Sequence, residues 1–269
     1  MSESQRPFTP ASEAVMRFAA SILLVRNGAQ GVEVFMQQRA TAADFGGMYV
    51  FPGGKVDEID SHDDFEALCI GLSDAEASKR ISVAFGGLAF WVAALRECFE
   101  ESGVLLAYTS DGTMVDPDAP VVYQRYRDHQ AALQKGTLTL AELCRLEALR
   151  LAVDRMTYFS HWITPEGPAR RYDTRFFVTA VPSTQQGRHD EWESVDSVWT
   201  RPEDALARLA RGELQMITPT VTNLQSICGT GNTDMLLARV RRGEHLPLWT
   251  PTMGSHGMQQ VDYPRHVSE

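Results

Sequence analysis

Hydrophobic positions along the first fifty residues follow a strand pattern. Residues 18 to 26 and 32 to 39 are two apolar-rich segments separated by Gly28 and Gly31, which predicts a hairpin that continues toward residues 48 to 51. The period then changes. Trp91, Leu95, Cys98 and Phe99 recur at the spacing of a buried helical stripe, and Gly103 is a natural stop for that helix. Residues 104 to 108 read as a strand, and residues 111 to 119, with Gly112 and Pro117 and closed by Pro120, as a loop. Helical patterns follow over residues 121 to 134 and 140 to 156, predicting a helical cap. Strands are predicted at 158 to 164, 173 to 181 and 195 to 200, then helices at 202 to 211, 218 to 227 and 235 to 242. Pro202 fits the first turn of its helix. Strands interleaved with helices predict an α/β fold, an α/β/α sandwich around a mixed sheet. The organisation expected is a loose segment over residues 1 to 15, one domain over 16 to 245 and an irregular tail over 246 to 269.

The helix ending at Gly103 carries an anomaly. Glu97, Glu100 and Glu101 stand three and four residues apart in its last turns and share one face, away from the apolar stripe. Like charges at that spacing repel, and the negative end of the helix dipole costs each acid about 0.3–1 kcal/mol. A bound divalent cation would reverse the sign. Arg96, four residues before Glu100, could orient that carboxylate. The competing reading is a solvated acidic helix end.

Upstream, Phe51-Pro52-Gly53-Gly54 follows an extended apolar segment, and paired glycines let a backbone turn sharply and approach a ligand. Taken together, Gly54, Asp60 and Arg96-Glu97-x-x-Glu100-Glu101-x-Gly103 with the apolar Val104 resemble the signature box of the Nudix hydrolases. Two departures are visible: Asp60 stands where that box has Glu, and thirty-five residues rather than seven separate it from Arg96. The extra residues look folded. Ser73-Asp74-Ala75-Glu76 is a capping-box pattern that predicts a helix start, and Phe85-Gly86-Gly87 should end or kink that helix. A box split at this point is similar to the Nudix branch that includes the animal peroxisomal coenzyme A diphosphatases, as are the segments around Val34 to Arg39, Trp162 to Pro165 and Arg170 to Phe177.

The resemblance implies an α/β/α Nudix sandwich with helical insertions near residues 61–90 and 120–156, and hydrolysis of a diphosphate linkage with Mg²⁺ or Mn²⁺ as cofactor. It implies Glu97, Glu100 and Glu101 as metal ligands, with Glu100 as ligand or base and Arg96 in the catalytic set. Asp60 stays open between a metal-site and a structural role. A base outside the box is implied near Asp190-Glu191-Trp192-Glu193. Glu193 is the candidate, against a solvated loop acid. Arg39, Gly53, Gly54 and Arg171 are the candidate substrate-binding residues, with Arg170 and Arg175 as further phosphate partners or surface charges. His161 and His189 could move protons or be ordinary satisfied side chains. Trp162, Tyr172 and Phe176 could stack a base or belong to the core.

Composition narrows the substrate class. The formal charge of −10 argues against general nucleic-acid affinity and against an anionic membrane surface, so no nucleic-acid or membrane partner is expected. A small nucleotide-type substrate would need local arginines or metal. Cys69, Cys98, Cys144 and Cys228 lack paired spacing and suggest reduced thiols, with Cys98 facing the core. Residues 19 to 25 are too short a run to cross a bilayer and carry no signal-peptide flank. The chain ends Val267-Ser268-Glu269 without a Ser-Lys-Leu peroxisomal address, so a cytoplasmic location is expected. A homodimer is left open. Coenzyme A or an acyl-coenzyme A is the implied substrate. ADP-ribose, NADH, a nucleotide sugar, capped RNA and a non-catalytic nucleotide sensor are the alternatives.

Overall fold

The computed structural model describes residues 15–40, 46–164, 170–188, 194–243 and 259–262. Strands β1 (Val15–Gly28) and β2 (Gly31–Arg39) form the hairpin anticipated from Gly28 and Gly31, which pair with each other at its end. Two short strands follow, β3 (Tyr49–Val50) and β4 (Gly53–Lys55). Next come a 3-10 turn over Glu58–Ser61, helices α1 (Asp64–Leu68) and α2 (Asp74–Arg80), and the long helix α3 (Leu88–Ser102). After β5 (Ala107–Tyr108) come α4 (Tyr123–Gln134), α5 (Leu140–Leu146) and β6 (Arg150–Leu151). The chain then forms β7 (Thr157–Ile163), β8 (Arg170–Ala180), β9 (Ser194–Thr200), α6 (Pro202–Ala210), α7 (Thr218–Ile227), α8 (Thr233–Arg241) and β10 (Gln259–Asp262).

β1 is the spine of an eight-stranded mixed sheet. It runs parallel to β8 along one edge; along the other, β4 pairs with Ala19–Ser21 and β2 pairs with Val25–Gly28. β2 continues past β1 to pair with β3, and its far edge takes β9. Each face of the sheet covers its own core. On one side Ile22, Leu24, Phe35 and Phe177 pack against Trp91, Leu95, Cys98 and Phe99 of α3. On the other, Leu23, Val34, Trp162 and Phe176 meet Ala205, Leu224 and Leu236 of α6, α7 and α8. The odd–even split along β1 is the period-two alternation of a strand buried on both faces. The α/β/α sandwich is what the structure shows.

Three expectations need correction. Residues 140 to 156 are not one helix: α5 ends at Leu146, Ala148 takes a positive φ of 52°, and Leu149 N–H closes the end onto Cys144 O at 2.7 Å. That left-handed turn sends Arg150 and Leu151 into a ladder with β5, so the apolar positions at 149 and 151 serve a strand, not a helical stripe. Nor are α4 and α5 a cap laid over the domain. Tyr126, Leu133, Leu140, Leu143 and Cys144 are buried in the same core as α3. The strand expected over 104–108 is also shorter, confined to Ala107–Tyr108. Cys98 does face the core, and all four cysteines are free thiols. The loose segment falls almost wholly, and the tail largely, outside the described residues.

Candidate active site

The site forms where β4 runs antiparallel to β1 and the last turns of α3 lie across them. Close approach needs the glycines. A Cβ on Gly53 would lie 2.4 Å from Ala20 O, and one on Gly54 would lie 2.3 Å from Glu97 Oε1. The strand carrying Gly54 is therefore in direct contact with an acid of α3.

Arg96 is the hub. Its Nε and one terminal nitrogen hold Asp60 bidentately, at 2.8 and 2.9 Å, and the same terminal nitrogen reaches Lys55 O at 3.0 Å. The other terminal nitrogen meets Glu97 Oε1 at 2.9 Å and Glu100 Oε2 at 3.4 Å. Burial alone would lower the guanidinium's pKa. The hydrogen bonds to Asp60 and the charges of Glu97, Asp60 and Glu100 outweigh that, leaving it above its ordinary value. Arg96 is thus a fixed positive charge that sets the positions of two of the three helix acids. The i, i+4 pair with Glu100 is present, but Asp60 is the stronger partner. Asp60, 2% exposed, also accepts from Asp57 N at 2.9 Å. This places Asp60 behind Arg96 as its buried counter-charge.

The three glutamates are not equivalent, and none is freely solvated, which sets aside the competing reading of a solvated acidic helix end. Glu101 is 2% exposed and points at the sheet, where its Oε2 accepts from Gln37 Nε2 at 2.6 Å and from Gly53 N at 2.8 Å. Its Oε1 lies 3.6 Å from an Arg39 terminal nitrogen. Glu97 and Glu100 flank Arg96, with side chains about one-eighth and one-sixth exposed. The sheet therefore gathers Arg39, Gln37 and Gly53 around Glu101, and β4 with Arg96 gathers Glu97 and Glu100.

Gln37 was not singled out from sequence. A signal existed: it shares Phe35's face of β2, and a fully buried polar side chain at an inward strand position needs a polar partner. Gln130 and Gln134 were also missed. Both donate to the backbone oxygen of Glu100, at 2.8 and 2.6 Å, satisfying a carbonyl that a helix end leaves without an internal partner.

Other candidates lie elsewhere. Arg171 donates to Thr164 O at 3.1 Å and pairs in register with Met16, four residues along β1 from the Ala20 that pairs with Gly54. That is about 13 Å of strand. His161 is buried against Asp173, with Nε2 at 2.6 Å, and Arg175 joins the same carboxylate. Those three form a separate ionic group on β7 and β8. Trp162 and Phe176 belong to the second core, and Tyr172 packs beside it. Arg170 opens β8, exposed. Glu193 and His189 fall outside the described residues.

As a donor set, carboxylate oxygens suit a hard divalent cation, and Gly54's missing side chain leaves Glu97 pressed against backbone. Among the described residues no three His, Cys, Asp or Glu side chains converge as a ready-made cage. The arrangement fits a cation held by one or two carboxylates, with the remaining positions left for water and substrate oxygens.

Comparison with known proteins gives the fold and site a family. The NUDT19 Nudix domain model matches residues 11–227. The chain belongs to this family of Nudix hydrolases. It is 23% identical over 233 residues to the acyl-coenzyme A diphosphatase NUDT19 of Xenopus laevis, covering 76% of this chain and 61% of that protein. It is 28% identical over 159 residues to the Gallus gallus protein of the same name, covering 53% of this chain and 41% of the relative. The matched regions thus span less than two thirds of those relatives' length. A Nudix hydrolase from Alicyclobacillus acidocaldarius superimposes with a TM-score of 0.68 at 28% identity, covering 84% of this chain and 97% of that one. Nudix hydrolases generally use divalent metals.

Proposed function

We propose that this Nudix hydrolase is a divalent-metal-dependent diphosphatase whose substrate is coenzyme A or an acyl-coenzyme A. The observation that carries the chemistry is the gathering of Glu97, Glu100 and Glu101 around Arg96 and the Gly53–Gly54 strand. The choice of substrate rests on the relatives named acyl-coenzyme A diphosphatase. Cleaving a diphosphate requires a water directed at phosphorus and neutralisation of charge on the phosphoryl oxygens. Mg²⁺ or Mn²⁺, held by one or two carboxylates drawn from Glu97, Glu100 and Glu101, would supply an activated water and part of that neutralisation.

The chain's own residues do the rest. Arg96 holds Glu97 and Glu100 in fixed orientation, and Gln37 with Gly53 N fixes Glu101 Oε2 so that Oε1 keeps a defined direction. Arg39, beside Glu101, is the proposed partner of a phosphate oxygen. Glu193 is the proposed base. With coenzyme A, attack by water breaks the phosphoanhydride and yields 4'-phosphopantetheine and adenosine 3',5'-bisphosphate.

A panel of coenzyme A, an acyl-coenzyme A, ADP-ribose and NADH, assayed with Mg²⁺ and Mn²⁺ and with products identified, tests this reading. The coenzyme A fragments should dominate, and Glu101→Gln should lower kcat by about a hundredfold or more while the fold is retained. Preferred turnover of ADP-ribose or NADH would reassign the substrate. Binding without turnover of any of them would make the chain a sensor.

A further inference from the structure

Among the described residues, two arginines beside the end of α3 have no acidic partner. Arg127 of α4 lies over the Tyr123 ring, its guanidinium carbon 5.3 Å from the centroid, and Arg188 approaches the same ring at 5.9 Å. Arg188 also donates to Tyr123 Oη at 3.2 Å. Among the described residues neither guanidinium forms an ion pair with a carboxylate, and Arg127 Nε is shielded from water with no hydrogen-bond partner. A chain of net charge −10 has carboxylates to spare. A buried, unsatisfied guanidinium donor costs about 1–3 kcal/mol or more unless something accepts from it.

Capping of α3 does not account for the pair. Three of the last four backbone oxygens of that helix are already taken: Phe99 O by Gly103 N, Glu100 O by Gln130 and Gln134, and Ser102 O by Arg188 N. Gly103 makes room instead. A Cβ there would lie 2.3 Å from an Arg127 terminal nitrogen, so the guanidinium rests against bare backbone three residues beyond Glu100, about 4.5 Å along the axis. Arg188 opens the stretch leading to Ser194, which pairs with Arg39 of the candidate site. The two cations therefore adjoin the end of the helix that carries the acids.

We propose that Arg127 and Arg188, with the Tyr123 hydroxyl, form a subsite for a phosphate monoester carried by the substrate in addition to the diphosphate that is cleaved. Arginine suits this ligand because its planar fork matches phosphate oxygens with two donors at once. The inference rests on the diphosphatase reading and adds to it: the favoured substrates are nucleoside diphosphate derivatives bearing a further phosphate on the nucleoside, one ribose away from the scissile bond.

The test compares coenzyme A with dephospho-coenzyme A, which differ only by that monoester. Wild type should prefer coenzyme A by about tenfold or more in kcat/KM, the lower range for a charge-assisted hydrogen bond. In Arg127→Gln and in the exposed Arg188→Gln the ratio between the two substrates should fall toward one. Equal use of both by wild type, or an unchanged ratio in both variants, overturns the subsite. A variant that folds poorly lowers both rates and leaves the ratio intact, so the ratio is the readout. If neither substrate is cleaved, the diphosphatase reading fails separately, and calorimetry with adenosine 3',5'-bisphosphate and AMP decides the subsite. Tighter binding of the bisphosphate that is lost in Arg188→Gln supports it, and equal binding refutes it.

Discussion

Arg96 and Asp60 form a buried, doubly hydrogen-bonded ion pair, and removing one partner leaves the other charge uncompensated. Asp60→Asn should therefore destabilise the fold by about 3 kcal/mol, read as a shift in the urea midpoint, and lower activity because Arg96 then orients Glu97 and Glu100 less firmly. A stability change under about 0.5 kcal/mol would show that the pair is not holding Arg96. Gly54→Ala is a sterically sharper test. The added methyl overlaps the Glu97 carboxylate, so kcat should fall by at least about tenfold with the stability loss held to about 1–3 kcal/mol, measured side by side. These residues differ in how far the sequence disclosed them. The three acids and Arg96 stood out because their spacing on a helix is local. Asp60's true partner lies thirty-six residues away, and Gln37's lies sixty-four residues away, so neither contact has a local period to betray it.

At the scale of elements, the inserted helices serve α3 directly. Ser73 caps α2, accepting from Glu76 N at 3.3 Å, as its sequence pattern predicts. The next residue does something the pattern does not contain: Asp74 reaches across to accept from Gly86 N and Leu88 N, both at 2.9 Å, and so caps the start of α3. Asp74→Ala should cost about 1–2 kcal/mol in denaturation while Ser73→Ala costs less, since only Asp74 serves the longer helix. α1 and α5 meet through the burial of Cys69 and Cys144, whose thiols are pushed up to about 12 by desolvation. Unfolded, they ionise near 9, so above that pH the folded chain retains protons that the unfolded chain releases. Their stabilising contribution is complete below about pH 9 and declines as pH rises toward 12. Denaturation from pH 8 to 11 should show a shallower decline in a Cys69→Ala, Cys144→Ala double variant than in wild type, and matching slopes would refute it. The α5 break had no local signature, because Leu149 and Leu151 continue an apolar rhythm that helix and strand can both use.

For the whole molecule, the sandwich, the hairpin and the strands at 158 to 164 and 195 to 200 were legible from hydrophobic period. The integration of residues 120 to 156 was not, since periodicity marks a buried face without saying what buries it. Those residues share the first core with Trp91 and Phe99, so excising them would expose that core. Metal dependence is a cleaner global test. Stripping divalent ions with a chelator should abolish turnover, Mg²⁺ or Mn²⁺ should restore it, and the far-ultraviolet spectrum should stay constant throughout. Undiminished turnover in excess chelator would remove the metal from the proposal. The capping of α3 has one more consequence. Helix ends ordinarily fray, opening and closing at almost no free-energy cost. Here Asp74 secures one terminus while Gln130 and Gln134 secure the other. The amides of Leu88 and Gly103 should then exchange with solvent as slowly as those at mid-helix, and the glutamates of the final turn keep their spacing before any ligand arrives.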